Sequence, residues 1–143
     1  MARETKTVKI KENTYHIKHL AASAQRKVLM RIMSAAATLV AYGEEVDIVE
    51  LIREVVNTIT SEDLDLITNC FAEETQLITP ESGGTAVKLS DCIEEMFSGP
   101  GMADWLQWIR VCIDHNYAGF FIEMRAQIQE KADANKKEDK KQA

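Results

Sequence analysis

The sequence predicts a mainly α domain with a small N-terminal β-hairpin, and three observations carry that expectation. Apolar residues recur at helical spacing from Ser23 almost to Ile128, two-residue alternation is confined to the stretch before Ala21, and the loop signals between periodic segments are short. A compact body of about five helices follows from these, closing on a long C-terminal helix, with a second short hairpin as an option.

The alternation runs from Thr7 to Leu20: Val8 and Ile10 precede Lys11-Glu12-Asn13, and Tyr15 and Ile17 follow it. An isolated hairpin is marginal in water, so this one is expected to lie against helices, with Lys9, Lys11, His16 and Lys18 facing solvent. From Ser23, taken as a cap, Val28, Leu29, Ile32, Met33, Ala36, Leu39 and Val40 form one apolar stripe that Gly43 ends. Asp47 followed by Glu50 reads as a capping box for a second helix carrying Ile48, Ile52, Val55, Val56 and Ile59. Its β-branched residues require packing to hold it helical. Thr60-Ser61-Glu62-Asp63 caps a third helix with Leu64, Ile67, Cys70 and Phe71 on its buried side. Pro80-Glu81-Ser82-Gly83-Gly84 is the strongest loop signal, and its flanks, Thr75 to Thr79 and Thr85 to Leu89, could pair as the second hairpin. Ser90 is expected to cap a short helix with Ile93, Met96 and Phe97, stopped by Ser98-Gly99-Pro100-Gly101. Met102, Trp105, Leu106, Ile109, Cys112, Ile113, Tyr117, Phe120, Phe121, Met124 and Ile128 then keep helical spacing. Residues 1–130 are expected to form one domain. The segment 131–143 alternates Lys with Asp and Glu without apolar periodicity and is expected to be a disordered tail.

At 143 residues and 45% hydrophobic, the chain suits one core. A formal net charge of -6 repels phosphate backbones and anionic lipid, which disfavours nucleic-acid and membrane partners. Cys70, Cys92 and Cys112 are odd in number and set among apolar residues, as expected of thiols in a reducing cytoplasm. The charged opening from Met1 to Lys11 does not resemble a secretory signal, and no apolar run reaches the ~20 residues that span a bilayer.

The search for chemistry is negative: no catalytic residue, cofactor or metal site is predicted. His16 and His19 have a spacing that suits a metal only on a helix, yet they fall on or beside a strand without a clear third ligand. Asp114 and His115 are helix neighbours whose side chains diverge. Glu73-Glu74 and Glu94-Glu95 read as solvated carboxylates, and the two Gly-containing loops lack the lysine of a phosphate loop.

What stands out is surplus apolar surface on the last helix. Trp108, Val111 and Ile122 lie off its main stripe, so that either the hairpins and the second and third helices, or a homo-oligomer or partner contact, must cover a second face. Trp108 is the first candidate for a partner contact, because a large rigid aromatic anchors interfaces. Val111, Ile122 and Trp105 join it, with Phe120 and Phe121 supporting the helix from its core side.

Several segments together resemble the tail assembly chaperones of long-tailed bacteriophages and prophages. They are Thr7-Val8-Lys9-Ile10 with Tyr15-His16-Ile17, Thr60-Ser61-Glu62-Asp63-Leu64, Met96-Phe97-Ser98-Gly99 and Asn116-Tyr117-Ala118-Gly119-Phe120-Phe121, and the resemblance spans about residues 5 to 130. It departs at Pro100, where a basic residue is commoner after the glycine. The resemblance implies a helical binding protein that coats the tape measure protein while tail tube subunits assemble, works in the host cytoplasm, and is absent from the mature virion. Two other classes fit the residues: a homo-oligomeric scaffolding or structural virion protein, and, ranked lower, an acidic inhibitor or anti-repressor.

Overall fold

The computed structural model describes residues 3–41, 53 and 56–142. In chain order its elements are β1 (Thr5–Ile10), β2 (Asn13–Lys18), α1 (Ala22–Ala41), α2 (Ser61–Glu73), β3 (Thr75–Ile78), β4 (Val87–Lys88), α3 (Ile93–Met96) and α4 (Met102–Gln142). The mainly α architecture with its N-terminal hairpin and long last helix is therefore as expected. The predicted second helix, Asp47 to Ile59, lies mostly outside the described residues, of which 53 and 56–58 are helical. Gly43 and the side chains of Ala36, Leu39, Val40 and Ile128 lie outside them too.

The two hairpins are one sheet. β1 and β2 pair antiparallel through a turn in which Lys11 takes a positive φ of 55°. β3 then pairs with β2, and β4 with β3, in the order β1-β2-β3-β4. The register explains the joining: Tyr15 sits opposite Leu77 and Ile17 opposite Thr75, four side chains at 0–1% exposure on one face. Two marginal hairpins thereby become one sheet with a shared apolar side laid on the helices. Thr75 tolerates burial because its hydroxyl donates to the Phe71 carbonyl at 2.8 Å.

Helix ends differ from expectation where a cap was assigned by residue type alone. Thr60 does cap α2, its hydroxyl accepting from the Asp63 amide at 3.2 Å. Ser23, in contrast, lies inside α1, which starts at Ala22. The free amide of Leu20 just ahead of α1 is taken by the Asn116 side-chain oxygen at 3.0 Å, a partner supplied from α4. Ser90 also does not cap: it falls in a 3-10 turn, Leu89–Asp91, and α3 follows from Cys92 with no side-chain cap. A second 3-10 turn, Gly99–Gly101, leads directly into α4.

α4 is 41 residues long, about 60 Å at ~1.5 Å per residue. It runs through Gln142, where a disordered tail was expected from Lys131. The absence of a packing face there is real, since residues 133–137 are exposed. Ala, Lys, Glu and Gln are nonetheless strong helix formers, Asp133 precedes Lys137 by four, and extending an existing helix needs no new nucleus.

The second apolar face expected on α4 is covered in part within the fold. Asp104, Trp108 and Cys112 form one buried row, and Ile113, Tyr117 and Phe121 form another. Nine residues at about 100° each put the second row on the opposite side of the helix from the first. The buried face thus migrates around the first half of α4, because different neighbours cover its successive stretches. Phe97 meets Trp108 with ring centroids 5.3 Å apart on the first row, and the Tyr117 hydroxyl donates to the Gln25 carbonyl of α1 at 3.0 Å on the second.

Candidate partner-binding surface

The residues singled out for partner contact separate into three groups. Trp108 is at 0% exposure and Phe121 at 6%, both in the core. Trp105 and Val111 are half-buried against that core. Ile122 is 60% exposed and Phe120 41%. Trp108 therefore presents no surface to a partner. Its position off the main stripe reflects the migrating buried face, not a surplus left in water. Phe120, placed on the core side by its spacing, faces solvent instead and meets Phe121 edge-on at 5.6 Å. Apolar exposure at the start of α4 went unnoticed in the sequence: Met102 is 62% exposed and Leu106 41%. Both keep helical spacing and so passed for core.

Beside Met102 lies a groove of about 360 Å³ between α2, α3 and the start of α4. Its apolar walls are Leu64, Ile93, Phe97, Met102 and Trp105, and Asp65, Thr68, Asn69 and Glu94 complete it. The Trp105 indole N–H donates to the Thr68 hydroxyl at 3.4 Å, fixing the ring across the helix gap. Phe97 joins groove to core, since it lines the groove and also stacks near Tyr15 at 6.3 Å and Trp108 at 5.3 Å.

Several titratable groups are engaged structurally. Glu73 pairs with Lys88 at 2.9 Å, and this contact lowers the Glu73 pKa through the hydrogen bond first and the charge second. Arg3 pairs with Glu74 at 3.2 Å, and Lys11 with the largely buried Asp104 at 3.1 Å. Burial raises the pKa of Cys70, Cys92 and, furthest, Cys112, which keeps the thiols protonated near neutral pH. His19 does not group with His16. It stacks on His115 at 3.9 Å between centroids and shares a 2.9 Å hydrogen bond with the His115 carbonyl. With Asn116, these residues clasp α4 to the chain leaving the hairpin. The clasp escaped sequence reading because its halves are 96 residues apart, although Asn116 inside an apolar helical run was a signal. Among the described residues no group of three or more His, Cys, Asp or Glu could hold a metal. No described helix is long and apolar enough to cross a membrane.

Hydrogen bonds and ion pairs occupy several of these polar groups, while apolar side chains and an acid-rimmed groove face water. A family model described as phage tail assembly chaperone protein, TAC, matches residues 11–132, and the chain belongs to that family. No curated protein and no solved structure matches it.

Proposed function

We propose that this chain binds the tape measure protein and shields it while the tail tube assembles, acting in the host cytoplasm and leaving before the virion is complete. The observation that carries this reading is the family match over residues 11–132. The exposed apolar side chains of α4, Met102 and Leu106 at its start and Phe120 and Ile122 near its middle, support it as sites that a foreign apolar helix covers. Trp105 and Val111 flank these sites, and Trp108 and Phe121 hold α4 in place from beneath. The work required is binding, without a chemical step or a cofactor.

Co-expression with the tape measure protein tests the reading. The wild-type chain is expected to co-purify with it, and a variant with Met102, Leu106, Phe120 and Ile122 all changed to Ser is expected to lose it with an unchanged circular dichroism spectrum. Mass spectrometry of finished virions should find none of this chain. Stoichiometric retention there would replace the chaperone reading with that of a homo-oligomeric structural component.

A further inference from the structure

We infer that the groove between α2, α3 and the start of α4 is the anchoring site for the partner, and that its occupant is an amphipathic helical segment presenting apolar residues one turn apart with Lys or Arg beside them. This rests on the proposed function and narrows it to one surface and one chemistry. At about 360 Å³ the groove is near the lower end of small-ligand pockets, ~300–1,000 Å³, so it holds a few side chains and not a whole helix. Its walls supply an aromatic ring and a flexible thioether, Trp105 and Met102, the side chains that favour contact with varied apolar surfaces. Leu106, one turn beyond Met102 and 41% exposed, extends the apolar track out of the groove along α4.

Charge selects the occupant. Asp65 on the α2 wall and Glu94 on the α3 wall are both exposed groove residues. Neither takes part in an ion pair among the described residues, whereas Asp63, Glu73, Glu74 and Asp104 each have a cation. A segment with cations flanking its apolar anchors meets both carboxylates at once, and an acidic segment is repelled by them. Phe97 fixes the groove floor from the core side, so the site is formed before the partner arrives.

Peptides tiled along the tape measure protein, titrated calorimetrically against the full chain, test this. The tightest binders are expected to carry basic residues around apolar anchors, and D65K/E94K should weaken them at least tenfold. Replacing the peptide's basic residues with Glu should restore binding to D65K/E94K and abolish it with wild type. The change in Trp105 fluorescence on binding should vanish in W105F. Equal affinity of wild type and D65K/E94K, with the loss appearing in F120S/I122S instead, overturns the groove and keeps the chaperone reading. Failure of wild type to bind any tape measure segment overturns both.

Discussion

Replacing Trp108 with Ala separates a core residue from a partner-binding one. The indole is at 0% exposure, packed against Phe97 at 5.3 Å and set in the buried row of Asp104 and Cys112. Truncation removes the largest fully buried side chain and leaves a cavity, a change that costs about 3–5 kcal/mol in comparable cores. Domains of this size are stable by only ~5–15 kcal/mol, so the variant is expected to melt on the order of 10–20 °C below wild type. Trp108→Phe behaves differently for a specific reason. The indole Nε1 is buried with no hydrogen-bond partner among the described residues, and an unsatisfied buried donor costs about 1–3 kcal/mol. Phenylalanine fills part of the volume and removes that donor, so its net loss should stay near 1 kcal/mol. Thermal and urea unfolding followed by circular dichroism measure both variants, and Trp105 remains as the fluorescent reporter. An alanine variant that melts within 2–3 °C of wild type would show Trp108 outside the core and refute the packing described here.

Two glycines, one in the turn before α4 and one within α4, should respond in opposite directions. A Cβ on Gly101 would clash with the Met96 backbone oxygen, so Gly101→Ala is expected to cost about 1–3 kcal/mol and to disturb Met102 beside it. Gly119, exposed within the helix, has no heavy atom within 4 Å of such a Cβ, so Gly119→Ala should gain about 0.8–1 kcal/mol from helix propensity; shifts of opposite sign in the urea midpoint, larger for Gly101→Ala, check the pair. His115 supplies a pH dependence. Burial first, and His19 and Lys6 after it, hold its pKa below the ordinary 6.5, against the Glu4 carbonyl contact and the Glu4 charge, which raise it. The unfolded chain therefore takes up the proton first, and this contribution to stability is complete above about 6.5 and declines as the pH falls below it. Melting temperatures between pH 7 and 5.5 should fall in wild type and fall less in His115→Gln; parallel curves would exclude His115 as the cause.

Elements with a local cause were legible in the sequence. The first hairpin follows from alternation, the α2 cap from Thr60, and the break before α4 from Ser98-Gly99-Pro100-Gly101. What escaped has a non-local cause. Nothing within Thr14 to Ile17 shows that it pairs with β3 on its free edge, and the cap for the amide of Leu20 comes from Asn116. The partner-surface residues show the same divide. Periodicity reports how apolar each side of α4 is, but not which neighbour reaches it. It therefore misplaced Trp108 and Phe120 in opposite directions and passed over Met102. Ile122 is exposed as its position off the stripe implied.

The two-sided burial of α4 also determines which lesions can report on binding. Between Leu106 and Phe120, Ile109, Cys112, Ile113 and Tyr117 are all at 3% exposure or less, so a change there alters stability before it can alter recognition. Around Met102 to Leu106, and again at Phe120 to Ile122, one side of the helix is in water while the other is held in the core or the clasp, so the two effects come apart. The two stretches differ in two respects. Among the described residues, the first adjoins a groove whose carboxylates on two walls take part in no ion pair, and there Phe97 connects the surface directly to Trp108. Added salt should therefore weaken a contact at the groove by screening those carboxylates, and leave a purely apolar contact at Phe120 and Ile122 nearly unchanged.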